Sequence, residues 1–364
     1  MSFTAAELAS LVSAELFGPA DRYISGAAVL EEAGANDLAF VADARHLSRM
    51  KDCRAGALLA PREHAAALAA ASPHLAVLGV DRPQSVFQTI LPQFRKIRPR
   101  PTRGIAPSAI ISPSATIGPD CYIGPNVIIG DDVTIGSDCD IHAGVVIGDG
   151  CQIGNGVSLH PNVVLYHDVQ LGSRVSIYAA AVLGADGFGY RLVDGAFQKI
   201  PQLGHVVIGD DVEIGAGTAI DRGAIGPTVI GEGTKIDNMV MIGHNCQIGR
   251  HNVIASQVGL AGSCSTGDYV RMGGQIGVKD HVHINSGCSI GAKSGVHKDV
   301  PAGEAWVGYP ATPEAEQKRL VFALRRVPEL RDDFKQLQKQ VKELQAQLAQ
   351  LQAAAVAPTL RAAG

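Results

Sequence analysis

The chain has 364 residues, a formal net charge of −4, 42 glycines and 5% aromatic residues. This length accommodates two or three domains, and the charge argues against a nucleic-acid-binding protein, whose binding domain is normally strongly basic. The first residues lack the basic and apolar regions of a secretory signal, and no apolar run approaches the ~18 residues of a membrane span. We therefore expect a cytoplasmic protein without an integral membrane segment.

Residues 1–102 show mixed helical and strand signals. This mixture predicts a small α/β domain, and the proline-rich, basic stretch at 95–104 predicts a linker to the rest of the chain. Helices are predicted over 4–16 and 62–71, and strands over 56–60 and 75–80.

Residues 103–308 repeat with a period of six, with an aliphatic residue at the first position of each hexad and a small or apolar residue at the fifth. This period is neither helical nor a simple alternation, and it is typical of short β-solenoid repeats. We therefore predict a mainly β fold, a parallel β-helix in which three hexads form one coil of a triangular prism. Before the first interruption the aliphatic residues are Ile105, Ile111, Ile117, Ile123, Ile129, Ile135, Ile141, Ile147, Ile153, Leu159, Leu165, Leu171, Ile177 and Leu183.

Six of the seven cysteines share the fifth hexad position, where the prism needs a small apolar side chain. This phase predicts reduced cysteines that fill the core. A metal cluster is the alternative, but it needs close cysteine pairs, which the sequence lacks. We therefore expect no metal site. The six are Cys121, Cys139, Cys151, Cys246, Cys264 and Cys288.

Two stretches break the period, a long one at residues 185–207 and a short slip at residues 226–229. The long stretch must leave the prism as a loop, and a loop of this length in a compact repeat is more often functional than not. It is therefore a candidate part of a functional site.

Residues 309–364 carry apolar residues that alternate by four and three, as at the a and d positions of a coiled coil. A single helix would leave this seam in water, so we expect it to meet copies of itself. The seam consists of Leu330, Phe334, Leu337, Val341, Leu344, Leu348 and Leu351.

The six-residue period also predicts which candidate catalytic residues lie close together. Residues 18 apart lie above one another on the same face, and Gly262 lies 18 residues after His244. His281 lies 37 residues after His244, which is two coils plus one residue, so the three residues fall in one column. Asp237 lies seven residues before His244, close enough across the corner to orient it. An imidazole, a backbone N–H and a carboxylate in this arrangement suit a general base, an oxyanion donor and an orienting group.

Two other interpretations of these histidines remain open. His167 and His251 share the hexad positions of His244 and His281, so solvated corner histidines are common in this chain. A zinc site would need three histidines converging across a subunit boundary, and no third partner is evident.

The segments GFGY, KIPQ, IDRG, KIDN and GHN follow one another in residues 187–245. This order closely resembles the UDP-3-O-acylglucosamine N-acyltransferases of lipid A biosynthesis, and the hexads resemble the left-handed parallel β-helix of hexapeptide-repeat proteins. The resemblance implies transfer of a 3-hydroxyacyl chain from acyl carrier protein to the 2-amino group of UDP-3-O-acylglucosamine, without a cofactor. It also implies an N-terminal uridine-binding domain, C-terminal helices after the prism, and a homotrimer.

The matching motifs imply individual roles. His244 in GHN would be the general base, and Asp237 in KIDN would orient it. The N–H of Gly262 would stabilise the oxyanion, and His281 matches the second histidine of the family. Asn238 would help to shape the substrate cleft.

The chain departs from the family in its N-terminal domain. LAFVADARH resembles the uridine site Phe-x-x-Asn-x-x-Tyr, in which Phe40 would stack on uracil, while Asp43 and His46 replace the other two residues. An Asp in place of Asn is only an acceptor, so a hydrogen bond to uracil is lost or reversed. Gly295 lies where the family uses a larger side chain to limit acyl length, and Met241 lies where Gln is usual.

Carrier proteins are acidic, so a local basic patch is expected to receive them, although a solvated helix face is the alternative interpretation. Two rival functions remain: the related O-acyltransferase acting on UDP-N-acetylglucosamine, which lacks a large N-terminal domain, and a non-catalytic β-solenoid. The patch consists of Lys298, Lys318, Arg319, Arg325 and Arg326.

Overall fold

The computed structural model describes residues 2–42, 53–94, 101–308 and 313–361. The chain divides into two compact units, Met1–Arg100 and Pro101–Gly364. The first is an α/β unit, and the second is a parallel β-solenoid followed by a helix.

A five-stranded sheet and three helices form the described part of the first unit. Four neighbouring strands run parallel, and one edge strand is antiparallel. The strands Ala57–Pro61 and Ala76–Val80 consist mainly of buried alanine, leucine and valine, as expected for parallel strands buried on both faces. In sheet order the strands are Glu15–Phe17, Ala76–Val80, Ala57–Pro61, Asp37–Phe40 and Gly26–Ala27; the helices are Ala5–Leu11, Arg62–Ala71 and Pro83–Phe94; a separate ribbon pairs Phe3–Thr4 with Tyr23–Ile24.

The helix predicted over residues 4–16 is shorter in the structure. Thr4 and Glu7 cap its start reciprocally, and it ends at Leu11. Ser13 has a φ of 52°, which a helix cannot continue, and residues 15–17 pair with residues 77–79 as a strand. Tertiary pairing therefore overrides the helical spacing. The helix over 62–71 and both predicted strands are confirmed, whereas the sequence patterns did not predict Pro83–Phe94.

The second unit contains three parallel sheets, the faces of the prism, with eleven, ten and nine strands among its described residues. The chain visits the eleven-stranded, the ten-stranded and the nine-stranded face in turn. The eleven-stranded face consists of Gly104–Ile105, Tyr122–Ile123, Asp140–Ile141, Ser158–Leu159, Ser176–Ile177, Glu213–Ile214, Lys235–Ile236, Val253–Ile254, Arg271–Met272, Ser289–Ile290 and Ala305–Trp306; the ten-stranded face of Ile110–Ile111, Ile128–Ile129, Val146–Ile147, Val164–Leu165, Val182–Ala185, Ala219–Asp221, Met241–Ile242, Gly259–Leu260, Gly277–Val278 and Gly295–Val296; the nine-stranded face of Thr116–Ile117, Thr134–Ile135, Gln152–Ile153, Gln170–Leu171, Val206–Ile208, Thr228–Ile230, Gln247–Ile248, Ser265–Thr266 and His283–Ile284.

The first and fifth hexad positions fill the interior of the prism. Residues 18 apart pair in parallel register, as Ile123 does with Ile141. One continuous apolar cluster runs from Cys121 to Val300, and the six fifth-position cysteines lie in it as free thiols. Burial raises the pKa of the Cys139 and Cys151 thiols to about 11. The predictions of a β-solenoid and of core-filling cysteines are confirmed.

The fourth hexad position turns the corners of the prism. Asn126, Asn162 and Asn245 lie there with φ values of 56°, 63° and 60°. Asn tolerates this left-handed conformation better than most residues, because its short side chain can form local hydrogen bonds. The corners therefore select particular residue types, whatever the function of the chain.

The chain leaves the prism twice. After Val182–Ala185 it forms an excursion that contains the antiparallel hairpin Tyr190–Val193 and Ala196–Lys199, and it returns at Val206–Ile208. Residues 222–227 then form a shorter corner loop before Thr228–Ile230. Register is kept across both insertions, since Leu171 pairs with Ile208 and Ile208 with Ile230.

After the prism, Glu314–Arg361 forms one continuous helix that contains Pro328. The expectation of several C-terminal helices is therefore corrected to one in the described part of the chain. All seven residues of the predicted seam are exposed in the single chain. No helix among the described residues combines the length and apolar character needed to cross a membrane.

Candidate active site

An open cavity of about 490 Å³ lies against the ten-stranded face. Successive coils and the excursion form its walls, and it brings together three of the predicted site residues, one above another. Its lining includes Phe188, Asp221, Met241, His244, Gly262 and His281.

His244 packs directly against Gly262 of the next coil. A Cβ built on Gly262 would lie 2.5 Å from Nε2 of His244, so any side chain there would displace the imidazole. On its other side, Nδ1 of His244 lies 3.1 Å from Oδ1 of Asn245. The N–H of His281 donates to the carbonyl of Gly262 at 3.2 Å, which places His281 one coil further along. The imidazole is thus held between a backbone wall and a side-chain amide.

The N–H of Gly262 lacks the partner that caps comparable corner amides. In several coils a side-chain oxygen of the next coil accepts a hydrogen bond from the N–H at the third hexad position. Asp149 does so for Asp131 at 2.8 Å. Asp268 does so for Arg250 at 2.7 Å. Across the described residues, no acceptor is found for the N–H of Gly262. A fixed backbone donor that faces a cavity suits a developing oxyanion.

Asp221 lines the cavity, although the sequence pattern does not single it out. It ends the strand Ala219–Asp221 one coil below Gly243 and is only 6% exposed. Burial raises the pKa of Asp221 to about 6, while the charge of a protonated His244 acts in the opposite direction. The available signal was its hexad position, because an aspartate in IDRG stands where the repeat usually has Gly.

The excursion packs against the same imidazole. A Cβ built on Gly187 would lie 2.6 Å from Cβ of His244, so the backbone of the loop touches the side chain. Phe188 projects beside it and is 84% exposed. The loop that interrupts the repeat therefore forms one wall of the cavity.

Arg222 anchors the start of the excursion. It is fully buried, and its Nε donates to the carbonyl of Gly184 at 2.7 Å. Its Nη2 donates to the carbonyl of His167 at 3.1 Å, and its Nη1 contacts Nε2 of the same histidine. Asp186, which pairs with Lys199 in the excursion, lies 3.8 Å from Nε of Arg222. One buried guanidinium thus ties the loop to two coils.

The structure does not bring Asp237 to His244 within one chain. The carboxylate of Asp237 accepts hydrogen bonds from the N–H groups of Asn238 at 2.8 Å and Ser256 at 3.1 Å. The six residues between them include the strand Met241–Ile242 of the ten-stranded face, so Asp237 and His244 lie at the two opposite corners of that face rather than across one corner. The predicted orienting contact is therefore absent from the described part of a single chain, and the carboxylates that line the cavity of His244 are those of Asp221 and Asp280.

Asp237 and Asn238 line a second open cavity, of about 500 Å³, against the eleven-stranded face. Tyr178 and the ion pair of Lys235 with Glu213, at 2.9 Å, complete it. The Oδ1 atom of Asn238 accepts from the N–H of Ala216 at 2.7 Å, so this side chain also clamps the corner.

In the first unit, Phe40 ends a parallel strand and its ring packs on Phe87 with centroids 4.8 Å apart. Ligands of parallel sheets bind beyond the carboxyl ends of strands, so its place suits the predicted role. The contact with Phe87 also makes it part of the core. Asp43 and His46 lie outside the described residues.

All five residues of the predicted basic patch are exposed. Nζ of Lys298 lies over the ring of Trp306, 5.5 Å from its centroid. Arg326 lies 3.8 Å from Glu329 on the same helix. These contacts leave their cationic groups at the surface.

Three stacked glycines continue the ten-stranded face above Met241. Gly259 pairs with Gly277, which pairs with Gly295, and a Cβ built on any of them would meet no atom within 4 Å. At the far end, Gly295 lines an open cavity of about 350 Å³ with Trp306 and Val307. The column of these three positions thus carries no side chain over two coil steps.

Three family models match parts of the chain. Residues 21–92 match UDP-3-O-(3-hydroxymyristoyl) glucosamine N-acyltransferase. Residues 105–187 match the GMPPB C-terminal domain, and residues 227–262 match the bacterial transferase hexapeptide repeats.

Relatives named UDP-3-O-acylglucosamine N-acyltransferase match over most of the chain. That of Helicobacter hepaticus is 42% identical over 318 residues, which cover 87% of this chain and 93% of the relative. The UDP-3-O-acylglucosamine N-acyltransferase 2 of Rhodopseudomonas palustris is 42% identical over 311 residues, which cover 84% of this chain and 82% of the relative. That of Methylobacterium nodulans is 53% identical, but the match spans only 42% of its length and 40% of this chain.

Among solved structures, an Arabidopsis UDP-N-acetylglucosamine acyltransferase superposes with a TM-score of 0.50 at 28% identity. The superposition covers 55% of this chain and 71% of that one. The structural likeness therefore concerns little more than half of this chain.

Proposed function

Since this chain belongs to the family of UDP-3-O-acylglucosamine N-acyltransferases, we propose that it transfers a 3-hydroxyacyl chain from acyl carrier protein to the 2-amino group of UDP-3-O-acylglucosamine. The reaction is a step of lipid A biosynthesis, and it takes place in the cytoplasm. It uses the acylated carrier as cosubstrate and no further cofactor.

The observation that carries the proposal is the contact between His244 and Gly262. Nε2 of His244 takes a proton from the 2-amino group as the nitrogen attacks the thioester carbonyl. The N–H of Gly262 donates to the resulting oxyanion. Collapse of this intermediate forms the amide and breaks the C–S bond, and the imidazolium returns its proton to the departing thiolate. A side chain at position 262 would obstruct both steps.

Asp221 supports the positive charge that His244 carries in the intermediate. The carboxylate is buried, and burial raises its pKa to about 6, so it is largely ionised near neutral pH although ionisation is costly. A neighbouring cation offsets that cost. We assign Asp221 this electrostatic role within the proposed reaction, and His281 remains a candidate for contacts with the intermediate or the carrier's arm.

The acyl chain of the substrate lies along the glycine surface of Gly259, Gly277 and Gly295 in this proposal. Each coil step is about 4.8 Å, so the surface extends from the cavity of His244 towards Trp306. Absent side chains leave the room that an alkyl chain needs. Asn238 would shape the part of the cleft that receives the sugar.

The uridine group of the substrate would bind in the first unit, with Phe40 stacked on uracil. One face of this ring packs on Phe87, which would hold it in place for a ligand. Asp43 and His46 stand at the sequence positions where the family has Asn and Tyr.

The working form in this proposal is a homotrimer. The seam of Glu314–Arg361 is exposed over seven residues, and an exposed apolar stripe of this regularity is unfavourable in water. Association would cover the seam, and it would place a neighbouring copy against the open sides of the cavities.

The basic patch is proposed to receive the acidic carrier. Reversing charge with Arg325→Glu and Arg326→Glu is expected to raise KM for the carrier about tenfold at low salt, without changing KM for the sugar nucleotide, because steering is electrostatic. Steady-state kinetics at several carrier concentrations measure this. Lys339→Glu with Lys342→Glu reverses the same charge further along the helix and serves as the control. An equal response in both variants would exclude the patch.

The function is tested by incubating the purified chain with 3-hydroxyacyl carrier and either UDP-3-O-acylglucosamine or UDP-N-acetylglucosamine, followed by mass spectrometry. We expect an amide product from the first acceptor only. An ester formed on the second acceptor would identify the O-acyltransferase activity instead. No product from either would support a non-catalytic solenoid.

A further inference from the structure

Among the described residues, Asn245 alone forms a hydrogen bond with the ring of His244. Backbone groups hold both the oxygen and the nitrogen of its side-chain amide. Its Oδ1 accepts from the N–H of Ala224 at 2.9 Å, and its Nδ2 donates to the carbonyl of Ile225 at 2.9 Å. The oxygen and the nitrogen of a side-chain amide are otherwise hard to distinguish. A backbone donor on one side and a backbone acceptor on the other admit only one orientation.

This orientation determines the protonation of the imidazole. Oδ1 of Asn245 is an acceptor without a proton, so Nδ1 of His244, 3.1 Å away, must donate to it. A neutral imidazole carries one proton, and Nε2 is then the atom with the free lone pair. Nε2 is also the atom that lies against Gly262.

We propose that Asn245 is a positioning residue that holds His244 in the Nδ1–H tautomer and thereby makes Nε2 the base. The inference rests on the proposed acyl transfer and deepens it. Asn245 touches neither substrate nor the reacting atoms, and it acts through His244 alone.

The corner loop of residues 222–227 holds the side-chain amide of Asn245 in place. The loop supplies both backbone groups that orient the amide, and Thr228, at its end, accepts from the N–H of Asn245 at 2.8 Å. Gly223 is required beside it, because a Cβ there would lie 2.7 Å from Nδ2 of Asn245. The insertion in the repeat thus forms the binding site for the side-chain amide of Asn245.

A purely conformational role is the competing explanation, since Asn245 has a φ of 60° at a corner where Asn is favoured anyway. Asn162 offers the matched comparison. It occupies the same hexad position with a φ of 63°, is exposed, and lies far along the chain from the cavity. Asn162→Ala therefore carries the backbone cost of the substitution without the contact to a base.

The test compares the pH dependence of kcat and kcat/KM in the wild type, Asn245→Ala, Asn245→Asp and Asn162→Ala. We expect Asn245→Ala to lower kcat about tenfold to a hundredfold with little change in KM. Asn162→Ala should retain the wild-type kcat. In Asn245→Asp the acceptor is kept and becomes charged, which stabilises the imidazolium, so the acidic limb should move up by about one pH unit and activity should recover above it.

Neutron crystallography of the wild type provides a direct second measurement, because it locates the deuterium on Nδ1 or on Nε2. A deuterium on Nε2 at neutral pH, or an Asn245→Ala variant that matches Asn162→Ala, would overturn the inference while acyl transfer by the wild type still stands. If the wild type itself transfers no acyl chain, the proposed function fails instead, and the position of the deuterium still reports the tautomer.

Discussion

His244→Ala is expected to lower the rate of amide formation by about 10²–10⁴-fold, the usual contribution of a positioned general base. The substitution removes the imidazole that packs against Gly262 and that takes the proton of the amine in the proposed reaction. The fold should persist, because His244 is only partly buried and its carbonyl still accepts from the N–H of Ser263. Single-turnover formation of the product, measured by mass spectrometry, gives the rate.

His251→Ala is the control for this experiment. His251 is an exposed corner histidine stacked on Tyr269, with ring centroids 5.1 Å apart, and it lies outside the cavity. It should keep the wild-type rate. If both variants retained full activity, the cavity would not be the active site, and the solvated-histidine interpretation would hold.

Arg222→Met is expected to reduce the free energy of unfolding by about 3 kcal/mol or more, because the carbonyls of Gly184 and His167 lose their donor within the protein interior. Methionine fills much of the volume but donates no hydrogen bond. The excursion should also loosen over His244, since Arg222 fixes its first residues. We therefore expect a drop in both Tm and kcat.

Arg250→Met is the control for this prediction, because it removes an exposed arginine instead of a buried one. Arg250 forms its ion pair with Asp268 at 2.9 Å, but its side chain is 63% exposed, so its loss should cost at most about 1 kcal/mol. Thermal unfolding followed by circular dichroism compares the two variants. Equal shifts in Tm would show that Arg222 does not anchor the loop.

The prism could be predicted from the sequence because its period fixes three properties at once: which residues face inward, where the chain turns, and which residues lie in one column. The period alone predicts that His244, Gly262 and His281 lie together, as they do in the cavity. The same reasoning failed for Asp237, since spacing along the chain does not show that seven residues cross a whole face. Asp221 resembles an ordinary departure from the repeat, so the sequence pattern does not predict its place in the cavity.

The insertions could be located but not interpreted from the sequence. Their residues obey no period, so only coordinates show that Gly187 touches His244 or that residues 222–227 enclose the amide of Asn245. Likewise, nothing in residues 4–16 indicates the strand pairing of Glu15–Phe17, which depends on residues 77–79 far along the chain.

The strict register of the solenoid, with Ile123 on Ile141 and so on through the column, determines which changes in length the chain tolerates. Each coil contacts only its neighbours, so adding or removing one complete coil lengthens or shortens the prism and leaves every inward residue inward. Deleting one residue within a strand reverses the inside and outside of that strand instead. Natural variation in length should therefore occur in whole coils or at corners, where this chain has both of its own insertions.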